Sequence, residues 1–277
     1  MQTYIINLER SSDRRGYMQS LLQPFSCFNG YQFIPAVDGR TMSEDSINTH
    51  FLQDVAYKRY GRPVKRSEIG CVLSHYACYQ KLVESGDNEA FIMEDDILFR
   101  KDNETLKNIL PHAKQFLSIE RPVILLFFGE YWWLYTKSFT EEFHLKRVYD
   151  AISAQGYMIN RAAAQLLLMQ KPSSLADDWE YIISRGIQVW ALHPHIIDQE
   201  WMSFETTVSM DGYGSIMRRN LTFPRIIRTY WRGGIKRILK AVGHFDPHII
   251  PEEEPEWAIR LGLCSPSSSP SSASKPS

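Results

Sequence analysis

Short apolar runs alternate with longer stretches of helical periodicity from Tyr4 to Leu192, and this alternation constrains the fold more than any other feature of the chain. Tyr4 to Ile6 forms the first run, and Ser11, Ser12 and Asp13 behind it offer N-caps for a helix reaching about Leu22. Tyr31 to Val37 forms a second strand, stopped by the turn pair Asp38-Gly39. From Ser67 the apolar positions Ile69, Val72, Leu73, Tyr76 and Val83 share one helical face, with Gly86 placed to end the helix. The strand Ala90 to Met93 follows at once, then an amphipathic helix through Leu106, Ile109, Leu110, Ala113 and Leu117, then the strand Val123 to Phe128. A helix from Ala162 to Met169, another opening at Asp177 and a late strand from Ile187 to Leu192 complete the pattern. Strands interleaved with helices of this length predict an α/β fold with a largely parallel, mixed sheet flanked by helices on both faces.

A chain of 277 residues with 44% apolar content builds such a core without staples. Its four cysteines, Cys27, Cys71, Cys78 and Cys264, have no zinc-ligand spacing and are expected to be reduced and structural. The apolar run at the amino terminus is too short for a secretory h-region or a membrane span, so a cytoplasmic location is expected. The sequons at Asn103 and Asn220 are then chance matches. A net charge of −1 gives no global attraction to nucleic acid, and none is expected as a partner. The charge is nevertheless uneven. Gly212 to Phe245 contains no Asp or Glu but carries Arg218, Arg219, Arg225, Arg228, Arg232, Lys236, Arg237 and Lys240. The acidic patch Glu252 to Glu256 and a Ser/Pro-rich tail follow. The expected organisation is an α/β domain over 1–211, a basic amphipathic extension over 212–264 and a disordered tail over 265–277.

Three carboxylates, Glu94, Asp95 and Asp96, stand directly after Phe91-Ile92-Met93, at the carboxyl edge of a buried strand, where open α/β sheets bind ligands. Close carboxylates repel, and a divalent cation is one means of holding them ionised. Hard oxygen ligands suit Mg²⁺ or Mn²⁺ bridged to a diphosphate. A solvated acidic turn accounts equally for these three residues taken alone.

Further segments fit one known pattern. Ile5-Ile6-Asn7-Leu8-Glu9-Arg10 precedes Asp13-Arg14-Arg15 and Ala36-Val37-Asp38-Gly39. Then come Ser67-Glu68-Ile69-Gly70-Cys71-Val72-Leu73-Ser74-His75, Ile92-Met93-Glu94-Asp95-Asp96 and Gly156-Tyr157-Met158-Ile159. Asp178-Trp179 and His193-Pro194 with Gln199 close the series. In these pieces and their order the chain resembles the family 25 glycosyltransferases, which include lipooligosaccharide and collagen galactosyltransferases. The resemblance implies a GT-A-like single nucleotide-binding domain that holds a Mn²⁺ or Mg²⁺ ion on the diphosphate of a UDP-sugar donor.

By that resemblance Asp96 ranks first as metal ligand, with Glu94 the other end of the acidic motif and Asp95 directed at the donor. His193 or His195, after the last strand, would add an imidazole ligand. Asn7, Arg10 and Arg14 follow the first strand, where amide and guanidinium groups read a uracil edge or neutralise phosphate. Asp38 would accept from base or ribose hydroxyls, while Gly39 permits close backbone approach or a positive φ. A plain Asp-Gly turn explains the pair as well. Ser74 and His75 lie within a helix and are read as donor contacts rather than satisfied core residues. Asp177 and Glu180 have capping-box spacing, which leaves Asp178 free to act as the general base of an inverting transfer.

UDP-galactose is the donor that the resemblance favours, and a lipid-linked oligosaccharide the acceptor. Trp132, Trp133 and Tyr135, in a loop-like aromatic stretch, either stack on acceptor sugars or are core. The basic segment reads as an amphipathic helix, kinked or split at Gly233-Gly234, on the cytoplasmic leaflet of the inner membrane. The rival readings are a nucleotidyltransferase or metal phosphohydrolase, which should show a Gly-rich phosphate loop or a dense histidine set, and a saccharide-binding protein without catalysis.

Overall fold

In the computed structural model, which describes residues 1–199, 223–247 and 255–260, the chain opens with β1 (Gln2–Asn7), α1 (Ser12–Leu22), β2 (Gln32–Pro35), α2 (Glu44–His50), α3 (Gln53–Tyr60) and α4 (Arg66–Ser85). It continues through β3 (Glu89–Glu94), β4 (Ile97–Phe99), α5 (Asn103–Leu117), β5 (Val123–Leu126), β6 (Glu130–Ser138), β7 (His144–Ile152), β8 (Gly156–Asn160) and α6 (Arg161–Leu168). The remaining elements are α7 (Trp179–Ser184), β9 (Gln188–His193), β10 (Ile197–Gln199), α8 (Phe223–Ala241), β11 (Phe245–Asp246) and α9 (Glu256–Arg260).

Among the described residues one mixed sheet runs β11-β6-β7-β9-β5-β8-β3-β1-β2, with β4 and β10 paired apart from it. The α/β architecture is therefore as the alternation predicted. Parallel pairing joins β2, β1 and β3 at one side and β5 with β9 further in. Antiparallel β8 lies between β3 and β5, and β7, β6 and β11 extend the far edge antiparallel.

The inner strands are apolar on both faces because helices cover both. Ile5, Phe91, Met93 and Leu125 pack with residues of α1 and α5. Their neighbours Tyr4, Ile6, Ala90, Ile92 and Ile124 pack on the opposite face with residues of α4, α6 and α7. This two-residue alternation carries each strand's side chains into two separate core layers. A third, smaller cluster of Ile47, Phe51, Ala56, Val64, Ile69 and Val72 seats α2 and α3 against the start of α4.

The same topology positions the site. Because β2, β1 and β3 are parallel, their carboxyl ends emerge together and bring Asn7, the segment after Pro35 and the Glu94 end of β3 to one edge. The start of α4 is held by Glu68, which accepts from the Lys65 backbone N–H at 2.7 Å and from Arg62 through two 2.7 Å contacts. The helix ends at Gly86 in the left-handed conformation.

Three expectations are corrected here. Trp132, Trp133 and Tyr135 lie in the long strand β6, not in a loop; Trp132 packs on Phe245, and Trp133 stacks on His244 at 3.7 Å. Within the basic segment, Phe223–Ala241 form one continuous helix, α8, which runs through Gly233-Gly234 without a split, and residues 212–222 lie outside the described residues. The cap of α7 is Asp178, which accepts from the Tyr181 N–H at 3.1 Å; Asp177 stands one residue too early. Arg218 and Arg219, residues 252–254 of the acidic patch and the tail 265–277 lie outside the described residues. No described helix is long and apolar enough to cross a membrane. The three described cysteines, Cys27, Cys71 and Cys78, are free thiols.

Candidate active site

A cleft open to solvent lies over the carboxyl edge of β1, β2 and β3. Its lining joins Arg10, Arg14, Asp38, Gly39, Ser74, His75, Glu94, Asp95 and Asp96, all singled out in the sequence, with Cys71, Arg40 and Gln199. The strand end, the turn after β2 and the first half of α4 therefore meet as a single surface.

The acidic cluster is held together by a cation of the chain's own. Arg14 donates to Asp95 Oδ1 at 2.9 Å and to Asp96 Oδ2 at 3.1 Å, and all three side chains are buried. Asn7 donates to Asp95 Oδ2 at 2.7 Å, and Gln199 donates to Asp96 Oδ2 at 3.1 Å. Arg14 and Asn7, expected to face the donor directly, are thus committed to the acidic pair. Burial works against the charged guanidinium of Arg14, and Asp95 and Asp96 more than offset it, so its pKa rises. Burial also pushes up Asp95, against the pull of Arg14 and Asn7. Asp96 is pushed up to about 7 by burial and by the charge of Glu94. One oxygen, Asp96 Oδ1, remains buried with no hydrogen-bond partner. A buried carboxylate oxygen left bare is uncommon, and it fits the hard-oxygen demand of Mg²⁺ or Mn²⁺.

On the opposite wall, glycine is required for contact. A Cβ on Gly39 would sit 1.7 Å from the Arg66 carbonyl oxygen, and one on Gly70 would sit 2.4 Å from that of Val37. Gly39 therefore serves close backbone approach, the first of the two uses expected for it. Ser74 locks the same junction, accepting from the Val37 N–H at 2.9 Å and donating to the Gly70 carbonyl at 2.7 Å. Its hydroxyl is structural, which corrects the donor-contact reading. Asp38 caps the short 3₁₀ turn Gly39–Thr41, accepting from the Arg40 N–H at 3.2 Å, and pairs with Arg10 at the rim.

His75 is buried, and its Nδ1 lies 2.8 Å from the Tyr157 hydroxyl, which meets Tyr79 at 2.8 Å. Its Nε2 makes no hydrogen bond, and Glu94 Oε1 lies 3.4 Å away. Cys71, one turn before His75 on α4, completes a group whose ligand atoms lie within 4.8 Å of one another. The sequence reading left Cys71 out; its spacing of four from His75 on one helical face was the available signal.

Three expected residues, His193, His195 and Asp178, are placed elsewhere. His193 ends β9, three strands from β3 in the sheet, or about 14 Å at the usual strand spacing. Its Nδ1 pairs with Asp246 at 2.5 Å and lies 3.3 Å from the Tyr131 hydroxyl, so it does not join Glu94 and Asp96. His195 pairs with Asp198 at 3.1 Å. Asp178 is engaged on every side: Arg59 reaches it with two nitrogens, Tyr60 donates its hydroxyl, and Tyr181 donates its N–H. Burial alone would raise its pKa, but Arg59 and Tyr60 hold it below the usual carboxylate range, the reverse of what a base at neutral pH needs.

Its neighbour Asp177 has the other character. Burial pushes its carboxyl up, and the charges of Asp178 and Glu94 add to that effect. The backbone N–H groups of Asp177 and Ser153 act in the opposite direction without reversing it. Ser153 is held at φ 76°, the one non-glycine residue with positive φ among the described residues, and its carbonyl accepts from Trp179 Nε1 at 2.7 Å.

Comparisons with known proteins fall on this framework. A family model described as glycosyltransferase family 25 (LPS biosynthesis protein) matches residues 1–179. A glycosyltransferase 25 family member of Aedes aegypti is 40% identical over 99 residues, 35% of this chain and 16% of the relative. Procollagen galactosyltransferase 1 of Danio rerio is 27% identical over 183 residues, 62% of this chain and 29% of the relative. A mouse relative named inactive glycosyltransferase 25 family member 3 is 35% identical over 106 residues, 37% of this chain and 17% of the relative. The matched region spans less than a third of each of these relatives.

Proposed function

Because the chain belongs to glycosyltransferase family 25, we propose that it transfers a hexose, galactose foremost, from a UDP-sugar to a hydroxyl of a lipid-linked oligosaccharide, with inversion at the anomeric carbon. The galactosyl donor is supported by the procollagen galactosyltransferases among its relatives, and the saccharide acceptor by the family's description as LPS biosynthesis proteins. The observation that carries the reading is the buried, partnerless Asp96 Oδ1 beside Glu94 in the cleft.

Glu94 and Asp96 would hold a Mn²⁺ or Mg²⁺ ion, which when bound supplies Lewis acidity to the departing diphosphate. The chain's own groups do the rest. Arg14, Asn7 and Gln199 fix the acidic pair so that its free oxygen stays aimed. Arg10 and Arg40, around Asp38 at the rim, offer guanidinium groups to phosphate, and Asp38 offers acceptors to ribose hydroxyls. The acceptor hydroxyl would give its proton to Asp177, whose carboxyl is pushed up by burial and feels the charge of Glu94, as the new C–O bond forms; Asp178, first expected in that role, accepts from Arg59 and from the Tyr181 N–H.

The acceptor's lipid anchor suits a membrane-facing helix, although not by the basic face expected. Arg228 and Arg232 pair with Glu180, and Arg232 and Lys236 pair with Asp150, so that face of α8 is turned onto the domain. Tyr230 and Trp231, 77% and 71% exposed, stand with Ile227 and Ile238 as the outward apolar set, suited to the peripheral contact with the inner membrane's cytoplasmic leaflet.

The test is release of UDP from UDP-galactose, with and without acceptor, in Mn²⁺, Mg²⁺ and chelator. Metal-dependent release that Asp96→Ala abolishes is the expected result. The inactive mouse relative motivates the second reading, a saccharide-binding protein without transfer. UDP binding with no turnover on any UDP-hexose would establish that reading and refute ours.

A further inference from the structure

We propose that Cys71 Sγ, His75 Nε2 and a Glu94 carboxylate oxygen form a binding site for a transition-metal ion of the zinc class on the α4 wall of the cleft. The argument begins on one helix. Residues four apart on an α-helix lie one above the other, so Cys71 and His75 direct a sulfur and a nitrogen to the same side of α4. The parallel pairing of β3 with β1 then places Glu94, the last residue of its strand, opposite them.

The distances suit an ion. Bond lengths of about 2.0 Å for nitrogen or oxygen and about 2.3 Å for sulfur put tetrahedral ligand atoms about 3.3 to 3.6 Å apart. His75 Nε2 and Glu94 Oε1 already lie 3.4 Å apart, and the full trio lies within 4.8 Å. The His75–Glu94 contact makes no hydrogen bond, so Nε2 is left buried with no hydrogen-bond partner in a residue that is 2% exposed. A buried imidazole nitrogen with nothing bound is costly, and in the tautomer that carries its proton on Nδ1 the Nε2 lone pair is what a metal would satisfy.

The outer groups agree. Metal-ligating histidines commonly donate their other nitrogen to a fixed partner. Here Nδ1 meets the Tyr157 hydroxyl, which passes the bond to Tyr79, and Tyr157 stacks along the His75 ring at 21°. Sulfur and imidazole select borderline ions such as Zn²⁺ or Co²⁺ over Mg²⁺. Thiolate and carboxylate together balance a divalent charge, and the thiol proton leaves to solvent on binding. Three protein ligands leave one coordination position, directed at the cleft that Cys71, His75 and Glu94 all line. The site shares Glu94 with the diphosphate-binding reading but does not rest on sugar transfer, since it requires only that the ion bind.

The experiment is titration of the metal-free 277-residue chain with Co²⁺, followed by absorption. One equivalent should produce a near-ultraviolet thiolate-to-cobalt charge-transfer band together with intense visible bands of tetrahedral cobalt, and one equivalent of Zn²⁺ should bleach both. Cys71→Ser should lose the charge-transfer band, His75→Gln should weaken Co²⁺ binding at least tenfold, and Cys27→Ser should change neither. Circular dichroism of each metal-free variant, matching that of the wild type, shows that the fold is intact. A wild-type spectrum with no charge-transfer band, or a band that survives Cys71→Ser, overturns the proposal. UDP release measured separately keeps the two ideas apart: a cobalt band without transfer refutes the glycosyltransfer reading alone, and transfer without the band refutes this site alone.

Discussion

Asp96→Asn should make the metal-free protein more stable at pH 8 while removing its metal-dependent chemistry. In the fold Asp96 is pushed up to about 7 by burial and by Glu94, against about 3.9 for an unfolded aspartate. Below about pH 4 both states hold the proton and burial exacts no penalty. Between there and pH 7 the folded state keeps a proton that the unfolded chain has released, so stability falls as pH rises, and above pH 7 the full penalty is present. Three units at about 1.4 kcal/mol each set a ceiling of about 4 kcal/mol. The amide removes that penalty but gives Arg14 and Gln199 a neutral acceptor in place of a charged one, a loss of about 1–2 kcal/mol. The net expectation is a gain of about 2 kcal/mol at pH 8, about 3–4 °C in melting temperature, and no gain or a small loss at pH 5. Thermal and urea unfolding in chelator at the two pH values measure this. A variant less stable than the parent at pH 8, or a difference that does not change with pH, would show that Asp96 carries no burial penalty and that its bare oxygen is not held ready for a cation.

Other expectations follow from single contacts. Asp177→Asn should lower transfer by about a hundredfold or more with UDP affinity and melting temperature kept, whereas Asp178→Asn, which strips Arg59 of its buried partner, should lower stability by about 3 kcal/mol in a thermal melt. Gly39→Ala places a methyl against the Arg66 carbonyl and should destabilise by about 3 kcal/mol or more while weakening UDP binding by calorimetry. Replacing Trp231 with Ser should leave the melting temperature unchanged, since the ring is exposed, but reduce sedimentation with anionic vesicles about tenfold.

What the sequence disclosed and what it hid divide along the range of the interactions involved. The inner strands β1, β3, β5 and β9 and the helices α1, α4 and α5 were legible because those strands are buried on both faces and the helices carry one apolar face, which are local patterns; α2, α3 and the antiparallel strands β6, β7 and β8 were not. The acidic edge was legible for the same reason, as three charges ending an apolar run. Its counter-charge was not, because Arg14 meets Asp95 from 81 residues away. Asp177 and Asp178 differ by one position, and the choice of helix cap between them is settled by Arg59 and Tyr60 on a distant helix. His193 misled because sequence order carries no strand order: β9 lies after β3 in the chain with two strands between them in the sheet. Cys71 and His75 showed their helical spacing, but only the closure of β3 onto β1 supplies Glu94 as a third member.

The arrangement around Arg14 bears on why a cation would enter a cleft that already contains one. A guanidinium shared between Asp95 and Asp96 balances one of three carboxylates, which leaves two negative charges formally unmatched at the end of β3. A monovalent partner could not neutralise them, and a second arginine would fill the space a ligand needs. Protonation is the response open to the metal-free chain, and the rise of Asp96 to about 7 shows the acidic group driven toward it. A divalent ion replaces that proton with charge of the matching size, so its affinity should climb as pH passes through 7. Arg14 meanwhile fixes two of the carboxylates where they stand, which removes the reorganisation that a flexible acidic loop would undergo on binding. The same residue that lowers the cluster's repulsion thereby holds in place the carboxyl group whose other oxygen, Asp96 Oδ1, is left bare.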